Sequence, residues 1–309
     1  MKTILVPLDG SEFAEGAIAP AARLAARHEA TLALVSVVSD LPPVPLAATE
    51  GEMLSHWFEE EKERAETYLA GVEEHLSGGF QDVEVTTRVE LGPVARTVMT
   101  QAAELDADLI ALTTHGRGTW QRAWLGSVAD AILREGRRPT LLLREGDASA
   151  NLFEEESSPA HVLIPLDGSE ASEEILGPVT SLLPAQGGKV TLLHTVREPF
   201  PLASSYLPHA VEEEKAADEQ RERAREHLEE TARRWSPMGV EVDTEVLVSD
   251  DVAASVLEYA HGHPVDLLAL STRGRGGVGR LLLGSVADKL LRGSEIPVLS
   301  VRRSKQGDD

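Results

Sequence analysis

The chain of 309 residues contains no cysteine. Disulfides and thiol catalysis are therefore excluded, and secretion gains no support from an oxidised framework. Basic residues are scarce beside acidic ones, 29 Lys and Arg against 52 Asp and Glu, for a formal net charge of -23. Neutralising a phosphate backbone needs the opposite excess, so no nucleic acid is expected as a partner. Anionic membrane surfaces are disfavoured for the same reason. No apolar run approaches the roughly 20 residues of a membrane span, and the opening MKTILVPLDGSE lacks the long apolar region of a signal peptide. A soluble, cytoplasmic protein is expected. No G-x-x-x-x-G-K-[ST] loop occurs, which excludes a conventional NTPase engine at motif level, and neither G-x-S-x-G nor a recurring Ser/His/Asp set is present.

What is present is a repeat. TILVPLDGSE near the start returns as HVLIPLDGSE, so Pro165 repeats Pro7 and Asp167 repeats Asp9. Asp108 and Asp266, Gly116 and Gly274, and Ser127 and Ser285 are separated by the same distance as Asp9 and Asp167. A constant offset over so long a unit means duplication of a full domain rather than a short solenoid repeat. The length suits two ordinary domains, and 42% hydrophobic residues are enough for real cores. We expect one domain over residues 1–145, a second over 161–304 and a short tail at 305–309. The acidic, Ser-rich, proline-ended stretch 146–160 has the composition of a linker.

Within the first unit, short β-branched runs read as strands at residues 2–8, 31–38, 83–91, 109–112 and 139–144. Helical periodicity falls on 14–28, 50–76, 94–105 and from Ser127 to Arg134. Ser11 is placed to cap the first helix, with Glu12 in its first turn. Three prolines between Leu41 and Leu46 mark a loop. Alternating strands and helices, five strands per unit, predict an α/β fold, an open parallel sheet with right-handed crossovers and helices on both faces; the order 3-2-1-4-5 is expected because it makes strands one and four neighbours where the winding reverses. Ligands bind such sheets outside the carboxyl ends of strands, where the winding reverses. With that order Asp9, after strand one, and the Gly-rich stretch after strand four share one crevice.

That stretch, Thr113 to Asp130, recurs at Ser271 to Asp288, each with a glycine (Gly116, Gly274) and a later Gly-Ser pair (Gly126-Ser127, Gly284-Ser285). A glycine-rich turn from strand to helix converges backbone N–H groups and the helix N-terminus on an anion. Candidate phosphate contacts are Gly116, Gly126, Ser127 and Val128 in the first unit, and Gly274, Gly284, Ser285 and Val286 in the second. Arg117 and Arg275 match inside the loop and could meet a phosphate or serve as exposed counter-charges. The alternative is local: Ser127 and Asp130 read as an S-x-x-D cap that needs no ligand. Asp9 and Asp167 suit either a ribose or adenine edge, or Mg²⁺ with phosphate oxygens, or ordinary turn and cap chemistry. One carboxylate per site is no metal cage. His261-Gly262-His263 has no counterpart in the first unit and reads as surface loop.

These residues resemble the universal stress protein family. Its opening V-P-x-D-x-S appears from Val6 to Ser11 and, as I-P-x-D-x-S, from Ile164 to Ser169, and its G-x-x-G, nine residues, G-[ST] pattern appears with Thr113 and Ser271 in place of the first glycine. The resemblance implies two Rossmann-like, adenine nucleotide alpha hydrolase-like domains, binding ATP or ADP with or without Mg²⁺. It further implies domain pairing through the fifth strands, here residues 140–144 and 298–302, and a homodimer. The family's adenine-contacting valine falls at Val37, and at Thr195 in the second unit. Should the missing first glycine require positive φ, Thr113 and Ser271 would strain the loop. Bulky Trp120 and Trp124 in the first loop, and Asp250-Asp251 where the first unit has Gly92-Pro93, make the two sites unequal; the second loop reads as the more open cradle.

Three functions follow as expectations: an ATP- or ADP-binding stress-response regulator with little or no turnover, a nucleotide-free interaction or chaperone-like module, and a slow ATPase or nucleotidyl-type hydrolase. The lack of a recognisable general base ranks the enzyme last.

Overall fold

A computed structural model describes residues 1–39, 51–114, 125–144, 153–154, 161–184, 187–197, 210–237, 239–272 and 283–302; side chains of the two long helices are described from Ser55 and Ala216 onward. The chain divides into two compact units, Met1–Glu156 and Ser157–Asp309.

The first unit runs β1 (Thr3–Leu8), α1 (Glu12–Glu15), α2 (Ile18–His28), β2 (Thr31–Val38), α3 (Gly51–Gly79), β3 (Val85–Leu91), α4 (Val94–Glu104), β4 (Leu109–Thr114), α5 (Ser127–Glu135) and β5 (Thr140–Arg144). The second repeats it as β6 (His161–Pro165), α6 (Glu170–Glu173), α7 (Leu176–Leu182), β7 (Gly188–Val196), α8 (Ala210–Arg234), β8 (Val240–Val248), α9 (Val252–Gly262), β9 (Leu267–Ser271), α10 (Ser285–Gly293) and β10 (Val298–Val301). Strands order as β3-β2-β1-β4-β5 in the first unit and as β8-β7-β6-β9-β10 in the second, all parallel within each. This is the expected 3-2-1-4-5 order, with strands one and four of each unit adjacent. The inner strands are buried almost throughout, which is why their sequences run apolar without alternation. Right-handed crossovers put α2 and α3 on one face and α4 and α5 on the other, because the winding reverses between β1 and β4.

The helix expected over 14–28 is two. Pro20 has no N–H, and its ring would clash with the carbonyl of Gly16 in a continuous helix. The chain therefore stops after Glu15 and restarts at Ile18, placing Pro20 in a first turn where no donor is needed. Pro178 repeats the arrangement in α7.

One strand departs from the constant spacing. Val38 faces Leu91 across β2 and β3, while Val196 faces Val248 across β7 and β8. The third strands are thus offset by one residue fewer than the rest of the repeat. The segment joining β8 to α9 is one residue longer, which restores the spacing before Val252. Gly92 N–H donates to Val38 O and Ser249 N–H donates to Val196 O, each at 3.0 Å. Ser249, not Asp250, therefore stands where Gly92 does, and Asp250 is the additional residue. Among the described residues, Leu91 and Val248 are the exposed large hydrophobics, at 52% and 38%.

Within the stretch read as linker, Phe153 is only 3% exposed and lies under Arg27 of α2, whose guanidinium is 5.5 Å from the ring centroid. Glu154 pairs with Arg23 of the same helix at 2.9 Å. Phe153 holds φ 68, so a non-glycine residue keeps a left-handed conformation to make this contact.

Candidate functional site

The crevice begins where a ladder ends. β1 pairs with β4 at Ile4↔Leu109 and Leu5↔Ile110, although β1 continues to Leu8 and β4 to Thr114. β6 and β9 likewise pair only at Val162↔Leu267 and Leu163↔Leu268. Pro7 and Pro165 lie beyond the last paired residue in each case; having no N–H, they cannot continue donation to a neighbouring strand. The two central strands part at their carboxyl ends, at the point of reversal, which is where an α/β sheet takes its ligand.

Asp9 sits on one rim of this opening. Its Oδ1 accepts from Ser11 N–H at 3.0 Å and from Ser11 Oγ–H at 2.5 Å, and Ser11 Oγ accepts from Ala14 N–H at 3.1 Å, capping α1. Asp167 repeats this with Ser169 at 3.0 and 2.6 Å, and Ser169 Oγ caps α6 through Ser172 N–H at 3.2 Å. The turn-and-cap chemistry is thus present in both units, and it fixes each carboxylate beside the opening. The other repeated acids, Asp108 and Asp266, act at the opposite end of the sheet. Asp108 Oδ2 accepts from the backbone N–H of Lys2 and Thr3, and Asp266 Oδ2 from that of His161.

On the other rim, Gly126 and Ser127 open α5, and Gly284 and Ser285 open α10. The S-x-x-D cap does not form: the N-cap is the glycine in each helix, Ser127 and Ser285 are exposed first residues, and Asp130 and Asp288 bind Arg134 and Arg292 instead. The first-turn N–H groups, including those of Val128 and Val286, have no partner within their helix. The two glycines differ despite identical neighbours. Gly126 has φ 73, whereas Gly284 has φ -61 and donates its N–H to Thr272 O at 3.1 Å. Gly116, Arg117, Gly274, Arg275, Trp120 and Trp124 lie outside the described residues, as does the larger part of both loops.

The missing first glycine carries no strain. Thr113 belongs to β4 and Ser271 to β9, and neither is among the positive-φ residues. Thr113 Oγ1 donates to the carbonyl of Phe13 in α1. Next to it, Arg144 ends β5 as a buried guanidinium and donates from Nη1 to Thr114 Oγ1 at 2.7 Å; burial lowers its pKa to about 10.

Val37 is half-buried at the end of β2, and Thr195 occupies the equivalent place in β7. Thr195 Oγ1 lies 3.1 Å from Ser255 Oγ of α9. Asp251, one of the acids beside the second crevice, caps α9 by accepting from Ala253 and Ala254 N–H, and it binds Lys289 of α10 at 2.9 Å. The Lys289 hydrogen bond holds its carboxyl below the usual range. Its charge is therefore already compensated rather than bare.

The long charged helices reach the Asp-bearing turns. Tyr68 of α3 donates to Glu15 Oε1 of α1 at 2.9 Å, and burial, that bond and the charges of Glu15 and Asp9 raise its phenol pKa. In the second unit Glu173 of α6 accepts from Thr231 Oγ1 at 3.4 Å and pairs with Arg234, both of α8, and His227 Nε2 lies 3.3 Å from it. No sequence signal foretells these pairs, because the partners are more than fifty residues apart. His263 stacks on Tyr259 with centroids 3.9 Å apart, at the end of α9. Among the described residues, no group of three acids or histidines could hold a metal ion, and no helix is long and apolar enough to cross a membrane.

Strands parting at the reversal, an Asp-Gly-Ser turn on one rim and a Gly-Ser helix start on the other, make each unit a doubly wound parallel α/β sheet with a crevice at its switch point. The sequence matches the model of the universal stress protein family twice, over residues 1–144 and 160–302, and the chain belongs to that family as a tandem member. It is 26% identical over 306 residues to a universal stress protein of Mycolicibacterium smegmatis, covering 97% of this chain and 96% of that one. A universal stress protein of Mycobacterium tuberculosis is 25% identical over 309 residues, covering 97% of both. Among solved structures, a universal stress protein from Archaeoglobus fulgidus superimposes with a TM-score of 0.69 over 98% of each chain at 18% identity, a likeness of fold.

Proposed function

We propose that each unit binds an adenine nucleotide, ATP or ADP, at the carboxyl ends of its central strands, and that the protein acts as a stress-response regulator with little or no turnover. The supporting observation is the repeated opening in which the strand pairs part after Leu5 and Leu163 between an Asp rim and a helix N-terminus. Phosphates would lie on the first-turn amides of α5 and α10, with Ser127 and Ser285 hydroxyls beside them. Arg117 and Arg275 belong to this reading as phosphate contacts, and Asp9 and Asp167 as ribose or base contacts. Any Mg²⁺ would be carried by the phosphates, each crevice offering one repeated carboxylate. A homodimer belongs to the same reading and is tested by sedimentation.

The test is nucleotide content. The purified protein is denatured, released small molecules are identified, and ATP with Mg²⁺ is then titrated by calorimetry. One or two bound equivalents are expected; no released nucleotide and no heat would overturn the proposal.

One observation favours the nucleotide-free interaction module for the second unit. Gly284 N–H is already given to Thr272 O, so that loop satisfies its own donor. Two equivalents of ATP would eliminate this alternative. Steady hydrolysis lost in Asp9→Ala or Asp167→Ala would instead raise the slow ATPase.

A further inference from the structure

One face of α2 is occupied by a short segment of the chain itself. α2 packs against β1 and β2 and buries Ala21, Ala22, Leu24 and Ala25. Arg23 and Arg27 lie one turn apart beside that buried stripe, so their guanidinium groups share a face. Phe153 and Glu154 dock on it. The Phe153 ring is buried with the Arg27 guanidinium 5.5 Å from its centroid, and Glu154 Oε1 accepts from Arg23 Nη2 at 2.9 Å. Burial holds the pKa of Arg27 below its ordinary value.

This contact has the character of peptide recognition. It is made by two consecutive side chains of a segment that belongs to no strand or helix. A ring stacks under one guanidinium and a carboxylate meets the other, the two kinds of partner that arginine takes by stacking and by charged hydrogen bonding. The segment continues as Glu155-Glu156, so its charge complements the helix in a chain where cations are scarce. The repeat does not demand the pair: the constant spacing puts Ser181 and Ala185 where the first unit has Arg23 and Arg27. Phe153 also keeps φ 68 while docked, a strain that an untethered peptide is free to avoid.

We propose that the Arg23–Arg27 face of α2 is a recognition site for an acidic peptide segment led by an aromatic residue, and that Phe153 and Glu154 fill it in the free chain. A partner carrying the same pair of groups competes with the tethered segment and releases it. The site is independent of the nucleotide reading given above.

The test uses the full chain and a fluorescein-labelled synthetic peptide of residues 150–157, ANLFEEES, read by fluorescence anisotropy. The Phe153→Ala/Glu154→Ala variant, its site emptied, should bind the peptide about tenfold more tightly than wild type, in which the tethered segment competes. A peptide with alanine for its phenylalanine should not bind. Adding Arg23→Ala or Arg27→Ala to the emptied variant should weaken binding by about tenfold. Equal affinity of wild type and emptied variant would overturn the proposal, as would equal binding of the alanine peptide. Absence of saturable binding to an emptied variant that melts like wild type would do the same. Should that variant unfold, Glu154→Ala alone, which changes the more exposed member of the pair, takes its place with the same outcomes. A wild-type dimer lost in the variant would give the face to a second copy of the chain, against the proposal.

Discussion

The hydroxyl of Thr113 in β4 donates to the backbone carbonyl of Phe13 at 2.8 Å, joining residues one hundred positions apart. Gly16 makes room for it, since a Cβ there would lie 3.2 Å from Thr113 Cγ2. The residue that replaces the family's glycine thus fastens α1, and with it the Asp9 turn, to the strand that leads into the loop. Thr113→Val keeps the shape and leaves the Phe13 carbonyl without its donor. It should cost about 1 kcal/mol of stability, read as a lowered urea midpoint at unchanged slope. An unchanged midpoint would show that the bond is replaced by solvent.

Gly126 and Gly284 should respond unequally to alanine. Alanine at 126 meets open space but must adopt φ 73 with ψ 143, a cost of about 1–3 kcal/mol. Gly284→Ala keeps an ordinary φ of -61, and its Cβ would lie 3.3 Å from Thr272 O and 4.0 Å from Ala287 Cβ, so that a shift of a few tenths of an ångström at Thr272 accommodates it. Urea denaturation of the two variants checks the order; a larger loss for Gly284→Ala would contradict it.

Acid should weaken the second unit through His161. This residue is buried, with Nε2 2.7 Å from Thr191 Oγ1 and Nδ1 3.2 Å from Pro264 O. Burial, followed by the charge of Lys189, lowers its pKa below the ordinary value. The unfolded chain therefore takes up the proton first, near pH 6.5. The contribution is fully present above that pH and is lost as pH falls from there through the folded-state pKa. Melting temperatures from pH 8 to 5 should fall, and His161→Gln should flatten that slope. An equally steep slope in the variant would assign the effect elsewhere.

Phe153 should guard the connection between the units. Phe153→Ala removes the buried ring beneath Arg27, and if the docked segment loses about 1.4 kcal/mol its undocked fraction rises tenfold. Cleavage by a glutamate-specific protease near Glu154 should accelerate accordingly, with the melting of the two units little changed. Equal cleavage rates for variant and wild type would show that the docking does not protect the segment.

Much of this was legible along the chain because it is local or periodic. The parallel α/β sheet followed from alternation, and the Asp9–Ser11 turn from three adjacent residues. Pro20 announced the break before α2, but continuous apolar periodicity across it read as one helix. What escaped is long-range or compensated. Thr113 and Phe13, Tyr68 and Glu15, and Thr195 and Ser255 meet only once the sheet is assembled. Gly126 and Gly284 share their neighbours in sequence yet not their backbone angles, so no motif could separate them. The slip of β8 was hidden because its extra residue at the strand end restores the spacing at every landmark used to measure it.

That slip sets a rule for recombining the two units. An exchange with both crossovers at or before the ends of β2 and β7, or both at or after the starts of α4 and α9, inherits matched lengths. A single crossover inside β3 or β8, placed by the constant spacing, would add or delete one residue within that strand. Every following side chain of that strand would then turn to the opposite face. Leu91 and Val248, aligned only when the slip is counted, mark the register that a viable chimera has to preserve.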